Sequence, residues 1–330
     1  MQKYEIIRSL NSGNFGEVFK VKDTALATVK ALKLVEIDGS TEYKDALEAQ
    51  LMRECRHPNC VTVNEVNIFS IGGKRYYAID MEFAPNGSLD GLITADSGSF
   101  GGLLSIFKDA LYGLANAHSK SVIHADIKPG NILLFGNSSK LSDFGLAFNS
   151  AAGNPPPDLK YFTHIAPEMV GTRVRNIRTD LYAMGVTMFR AFNRLADWDA
   201  AQDHLTDVRE AIRTGKFLGR VGFEDFVPSK LRRIINRACH IDPGSRYESA
   251  ADLRQALDRL AVRVDWRRDG PSQWIGIENT KTHVVEANPS TNAVIHTVNG
   301  RKNTSNCSRH STSISAAREM NRVVAQTSLE

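Results

Sequence analysis

The chain has 330 residues, 42% of them hydrophobic, enough to bury one large core or two moderate ones. Its 41 basic and 37 acidic residues leave a formal charge of +4, too small an imbalance to imply a polyanionic partner by itself. Cys55, Cys60, Cys239 and Cys307 form no CxxC pair, and no apolar run reaches the roughly eighteen residues of a membrane helix, so a reducing, cytoplasmic setting without membrane is expected.

The N-terminal MQKYEIIRSL lacks the apolar stretch of a signal peptide. From Tyr4 to Lys30 the pattern is short and alternating, broken by a glycine-containing turn at Asn11 to Gly16. It predicts two strands and the start of a third, with Lys30 at the end of the apolar run Ala27-Thr28-Val29. Tyr43 to Glu54 carries apolar residues at helical spacing and stops at His57-Pro58-Asn59. Val61 to Ile68 and Tyr76 to Met81 read as strands separated by Gly72-Gly73.

After Pro85-Asn86-Gly87 the chain becomes mainly helical. Leu103 to Ser119 has one apolar face, and Leu181 to Phe192 is apolar nearly all round, which predicts a buried helix. Leu231 to Cys239 and Ser249 to Leu260 are two further helices, the second preceded by the breaker Asp242-Pro243-Gly244. Val122 to Met169 is rich in Gly, Pro and polar residues, and so long a connection in a compact domain is usually functional. Past Arg263, Trp274 to Ile277, Thr282 to Ala287 and Asn292 to Val298 read as three short strands, with Asn299-Gly300 as a hairpin dipeptide. Residues 304–330 read as a polar tail in which Ser315 to Gln326 could form a helix.

Between the first two strands, Asn11, Gly13 and Gly16 would let backbone N–H groups approach phosphate oxygens. Hairpins also use glycines, so the order of several motifs carries more weight than this one. The chain resembles the eukaryotic-like serine/threonine protein kinase family over roughly Tyr4 to Leu260. The glycine-rich loop matches Asn11, Gly13, Gly16 and Val18; the strand lysine matches Lys30, and its helix glutamate Glu48. The catalytic loop matches His124-Ala125-Asp126-Ile127-Lys128-Pro129-Gly130-Asn131, and the metal-binding triplet Asp143-Phe144-Gly145. Ala166-Pro167-Glu168 matches the end of the activation segment, with Arg246 as the arginine that pairs with that glutamate; Asp180 and Gly185 match the start of the buried helix.

The resemblance implies an α+β, bilobal protein kinase fold. A strand-rich small lobe (residues 1–84) would precede a mainly helical large lobe (85–262), followed by a small strand-rich C-terminal module (263–303) and the tail. It implies ATP-dependent phosphoryl transfer to serine or threonine of protein substrates, with Mg²⁺, or Mn²⁺ in its place. Lys30 would hold the α- and β-phosphates with Glu48 fixing its ammonium, and Asp143 and Asn131 would bind metal. Asp126 would receive the hydroxyl proton, and Lys128 would meet the transferred group. Met81, Glu82, Phe83 and Ala84 would form the adenine-binding hinge, and Ser150, Tyr161 and Thr163 are candidate phosphorylation sites in the activation segment.

The sequence departs from the family pattern in three places. Asn11 replaces the first loop glycine, a change that left-handed backbone tolerates. Ala125 replaces the arginine that commonly binds an activation-segment phosphate, so activity is expected not to depend on that contact. Lys160-Tyr161 stands where a Gly-Thr pair is usual, and His164 where tyrosine is usual. The competing readings are a kinase-fold scaffold without catalysis and a kinase acting on a small molecule. Trp266 and Trp274 suggest that the module docks on the large lobe or recruits a partner protein, with nucleic acid disfavoured despite Arg267, Arg268, Arg301 and Lys302.

Overall fold

The computed structural model describes residues 3–13, 16–37, 50–152, 164–172 and 174–330. Five antiparallel strands form the small lobe: β1 (Tyr4–Gly13), β2 (Gly16–Asp23), β3 (Thr28–Glu36), β4 (Val63–Ile71) and β5 (Lys74–Glu82). Their order is β1-β2-β3-β5-β4. Gly72 and Gly73, at φ 59° and 80°, close the β4–β5 hairpin with the positive φ pair its two-residue turn needs. A helical stretch over residues 50–54 packs Leu51 and Met52 on one face of the sheet with Ala31, Ile79 and Met81. The opposite face has its own core of Tyr4, Val21, Leu32 and Ala78. At Gly16, where φ is 112°, a Cβ would come within 2.3 Å of the Leu34 carbonyl oxygen, so the turn into β2 requires glycine.

Below the sheet, α1 (Leu89–Thr94) and α2 (Phe100–Ser119) lead into β6 (Val122–Ile123). The hairpin β7 (Ile132–Phe135) and β8 (Ser138–Leu141) follows, and β9 (Phe148–Asn149) pairs with β6. The core helix α3 (Ile177–Phe192) is buried from Thr179 onward, as its nearly continuous apolar sequence requires. It starts at a capping box made by Asn176 and Thr179. Around it lie α4 (Val208–Arg213), α5 (Phe217–Val221), α6 (Ser229–Ala238) and α7 (Ala250–Asp258). Gly185 lets α6 approach α3 closely, since a Cβ there would meet Cys239 Sγ at 2.5 Å and Ala238 Cβ at 2.9 Å.

The C-terminal part is larger than three strands. β10 (Asp265–Arg268), β11 (Gln273–Glu278), β12 (Lys281–Asn288) and β13 (Ala293–Val298) form an antiparallel sheet. Two short strands, β14 (Arg301–Lys302) and β15 (Ser308–Arg309), pair with β13. Residues 304–330 are therefore not a free tail. They contribute β15 and α8 (Ser313–Thr327), whose Ala316, Met320, Val323 and Val324 are buried in a core shared with the sheet. The short strands escaped the sequence reading because two-residue pairs and Arg267-Arg268 carry no apolar alternation. Both module tryptophans are buried: Trp266 Nε1 donates to Thr327 Oγ1 at 3.0 Å, and Trp274 packs 4.9 Å from Phe226. One hydrophobic cluster runs from the large lobe into the module, so the two share a core. Backbone bonds from Arg263 and Val264 to Ser328 and Thr327 close the module on itself.

Candidate active site

A cleft of about 500 Å³ lies between the lobes. Leu10, Val18, Ala31 and Val61 from the small lobe and Leu133 from β7 give it apolar walls. Met81, which is buried, and Glu82 to Pro85 border it where the chain passes between lobes. Glu82 spends its side chain locally, accepting from Thr62 N–H and from Lys140 Nζ at 2.7 Å each. Among the described residues, the N–H groups of Phe83 and Ala84 and the C=O of Phe83 have no hydrogen-bond partner, so this stretch along the cleft keeps open backbone donors and an acceptor. Asn11 pairs with Val18 and Gly13 with Gly16 in the β1–β2 hairpin, whose Leu10 and Val18 line the cleft.

The lysine expectation requires correction. Lys30 Nζ sits 3.0 Å from Asp23 and 2.8 Å from Asp80, on the sheet face away from the cleft. Lys33 lines the cleft and donates to Asp143 Oδ1 at 2.9 Å. The cause is strand geometry: side chains alternate, so residues three apart point to opposite faces. Lys30, Leu32 and Leu34 share the outer face, while Ala31 and Lys33 share the inner one. The strand does not end at Lys30 but runs to Glu36, placing Lys33 mid-strand between two leucines. That position, a lysine inside the apolar run Ala31 to Val35, was the available signal. Lys30 instead balances Asp80, whose other partners are Tyr4 Oη at 2.7 Å and Asn64 Nδ2 at 2.8 Å.

Across the cleft, the loop after β6 brings three groups together. Lys128 Nζ is 2.6 Å from Asp126 Oδ2, and Asn131 Nδ2 donates to the same oxygen at 2.9 Å and to the Asp126 carbonyl at 2.8 Å. This leaves Asn131 Oδ1 to face a ligand. Burial pushes the Asp126 carboxyl above the usual carboxylate range, although Lys128 opposes it. At Asp143 burial acts in the same direction, but the Lys33 ammonium outweighs it and holds this carboxyl low. Two neighbouring carboxyls are thus driven apart by their surroundings.

The loop is held in an unfavourable conformation. Ala125 has φ 61°, a left-handed value that costs about 1–2 kcal/mol for a residue with a Cβ. Asp180, buried near the start of α3, offsets this: its carboxylate accepts the N–H groups of His124 and Ala125 at 2.9 Å each, and His118 Nε2 lies 2.8 Å away. His124 packs its ring 4.7 Å from Phe144 and holds the Ser142 carbonyl at 3.1 Å, linking this loop to Asp143. Glu168 and the buried Arg246 form a two-pronged pair at 2.8 and 2.7 Å.

A groove of about 620 Å³ adjoins the cleft and shares Asp90 and Gly130 with it. It is lined by Lys128, His164, Arg190 and Trp198, whose buried Nε1 has no partner among the described residues. None of these except Lys128 was singled out for a ligand from sequence. Ser150 is exposed and bonded to the Ser121 carbonyl at 2.9 Å. Glu48, Tyr161 and Thr163 lie outside the described residues.

The protein kinase domain profile matches residues 4–257. The chain belongs to the eukaryotic-like serine/threonine protein kinase family. It is 31% identical over 308 residues to CBL-interacting serine/threonine-protein kinase 21 of Arabidopsis thaliana, a match covering 88% of this chain and 67% of that protein. It is 28% identical over 253 residues to an Aurora kinase of Eremothecium gossypii, covering 74% and 65% of the two chains. Serine/threonine-protein kinase 1 of Arabidopsis thaliana is 31% identical over 199 residues, covering 56% of this kinase and only 22% of the relative. The kinase thus spans between about a fifth and two thirds of the length of these curated relatives. Among its described residues, no helix is long and apolar enough to cross a membrane.

Proposed function

We propose that this kinase is active and transfers the γ-phosphoryl group of ATP to serine or threonine hydroxyls of protein acceptors. The observation that carries this reading is that Lys33, Asp143 and Asn131 line one cleft, with Lys33 bonded to Asp143, while Asn131 bonds Asp126, which also holds Lys128 of the adjoining groove. A scaffold would have no chemical use for that set.

Adenine would lie against the apolar walls with its polar edge on the open backbone groups of Phe83 and Ala84. Lys33, not Lys30, would neutralise the α- and β-phosphates, and the hairpin at Gly13 and Gly16 would cover them. Asp143 and Asn131 offer the hard oxygen donors that suit Mg²⁺, and would hold it. The chemistry expected of such an ion is neutralisation of charge on the phosphate oxygens. An acceptor hydroxyl placed beside Asp126 would give its proton to that carboxylate as its oxygen bonds to the γ-phosphorus, while the bond to the β-phosphate oxygen breaks and ADP leaves. The raised Asp126 carboxyl suits a proton acceptor better than an ordinary aspartate would. Lys128 would offset charge on the moving phosphoryl group.

Incubation with labelled ATP, Mg²⁺ and protein acceptors, followed by mapping of the modified residues, tests the reading. Label on serine or threonine that disappears in Asp126→Asn is the expected result. Nucleotide binding without any transfer would establish the scaffold reading, and label found only on a small molecule would redirect it.

A further inference from the structure

The groove beside Lys128 is braced from outside the catalytic machinery. One wall is α1, carrying Asp90 and Thr94, and the other is the turn after α3, residues 196–199. Two arginines join these walls. Arg190 works from within: it pairs with Asp90 at 2.7 Å and donates to the carbonyls of Leu195 at 3.2 Å and Ala196 at 3.4 Å. Arg194 works at the outer end, donating to Asp96 Oδ1 at 2.5 Å and to the Gly98 carbonyl at 2.6 Å.

Arg194 is in turn held by the C-terminal module. The Trp274 ring of β11 lies 5.0 Å from its guanidinium, and Arg268 of β10 lies 5.9 Å from the same ring. Arg268 also approaches the second Asp96 oxygen at 3.8 Å. Asp96 and Arg194 both adopt left-handed backbone, with φ 49° and 56°, which persists only where surrounding contacts fix it. Each stands two residues from a groove-lining position, Thr94 and Ala196 respectively.

We infer that Trp274 and Arg268 are positioning residues for acceptor binding: by seating Arg194 against Asp96 they fix the width of the groove at its outer end. This rests on the proposed function, in which an acceptor chain leaving Asp126 runs through this groove. None of Asp96, Arg194, Arg268 and Trp274 lines the nucleotide cleft, so loss of their contacts should weaken the acceptor and spare ATP. The module is then part of the acceptor site's frame, which gives a role to Trp274, a ring that is buried and so cannot meet a partner protein directly.

Steady-state kinetics on the full chain with a peptide acceptor test this. Arg194→Lys keeps the charge but cannot fork to Asp96 and Gly98 together, and it should raise the peptide KM about 5- to 20-fold. Asp96→Asn should do the same, and the half-exposed Arg268→Gln should raise it about threefold, with the KM for ATP within about twofold of wild type in all three. Asp96→Asn and Arg268→Gln alter the surface side of the clamp, so they remain informative if Arg194→Lys folds poorly. In combination they should fall short of additivity, because they break one unit. Unchanged peptide KM in both, or peptide and ATP KM rising together with a falling melting temperature, would overturn the inference while leaving the activity standing. A wild-type chain that phosphorylates no acceptor would instead refute the activity, and this inference with it.

Discussion

Lys33 Nζ lies 2.9 Å from Asp143 Oδ1, whereas Lys30, three residues earlier on the same strand, is bonded to Asp80 behind the sheet. The two lysines therefore separate chemistry from stability. Lys33→Ala should lower phosphoryl transfer by about a hundredfold or more with little change in melting temperature, since its partner Asp143 also borders the open cleft. Lys30→Ala should leave the rate per folded molecule within about threefold, yet lower the melting temperature by roughly 5 °C or more. It strands Asp80, which is buried and pairs with no other cation among the described residues. Thermal unfolding and transfer assays on both variants decide the assignment, and a rate loss confined to Lys30→Ala would reverse it.

Asp126→Asn should reduce kcat by about a hundredfold or more while ATP affinity stays nearly intact, because a proton acceptor acts in the transition state and not in ground-state binding. The pH profile gives a second readout. Burial raises the Asp126 carboxyl, and only its ionised form accepts a proton. Activity should therefore fall on acidification with a midpoint above the ordinary aspartate value of about 4, and this acid limb should be missing from whatever rate Asp126→Asn retains.

Ala125 carries no guanidinium with which the catalytic loop could bind an activation-segment phosphate, and its N–H is held by Asp180. Treatment with phosphatase should accordingly leave transfer within about threefold of the untreated protein. A drop above about tenfold, restored by rephosphorylation at Ser150, Tyr161 or Thr163, would show that another cation has taken over that role. Removing the support on the other side, Asp180→Asn should cost about tenfold or more in kcat, since the strained φ of Ala125 would no longer be compensated.

Buried histidines should make the fold acid-sensitive. In the module, His283 Nδ1 and His296 Nε2 are 3.1 Å apart, His283 Nε2 faces Glu278 at 3.3 Å, and Asn306 Nδ2 faces His296 Nδ1 at 2.9 Å. Two neutral rings satisfy all four nitrogens: His283 donates to Glu278, His296 donates to His283, and Asn306 donates to His296. Burial, and then the neighbouring His283, depresses His296; in the large lobe, burial and then Arg190 push His164 down to about 3. The unfolded chain binds these protons near pH 6.5, so stability is full above that value and is lost as pH falls from there toward about 3. His164→Phe should reduce the slope of unfolding free energy between pH 6 and pH 4 by about 1.4 kcal/mol per pH unit, the worth of one proton. Urea titrations at several pH values measure it, and an unchanged slope would mean that His164 is protonated in the fold.

Much of the lobe architecture was legible because its signals are local. Gly72-Gly73 and Asn299-Gly300 adopt the positive φ pairs that hairpins need, and the all-apolar stretch of α3 is buried as its composition demands. The Asp126 and Asp143 segments could be located by motif order, since each motif is a contiguous run. Lys33 was harder to tell from Lys30, because both are lysines near an apolar run, and the signal of apolar neighbours on both sides of Lys33 counts only once the strand is carried past Lys30 to Glu36. The groove was illegible for a different reason. Asp90, the pair Arg190 and Arg194, and Trp274 are brought together from three distant segments, and no spacing within the sequence encodes that meeting.

Asp265, the first residue of β10, caps the large lobe's α2: its carboxylate accepts the Gly101 N–H at 2.6 Å and the Ser99 hydroxyl at 2.9 Å. A carboxylate at a helix N-terminus satisfies orphan donors and faces the positive end of the dipole. At the other end, α2 runs directly into β6 and the catalytic loop, so this cap anchors the helix that delivers Asp126. Asp265→Ala should cost about 1 kcal/mol or somewhat more of unfolding free energy, measured by urea titration. Truncation after Leu260 should be far worse than any single substitution. It removes the cap, the Trp274 contact with Phe226 and the module's share of a continuous hydrophobic cluster, exposing apolar surface on the large lobe. The truncated chain should be poorly soluble and should melt at least about 10 °C below the full one. A truncated protein of undiminished stability that phosphorylates peptides normally but loses a protein partner in a pull-down would establish recruitment, and not structural support, as the module's purpose.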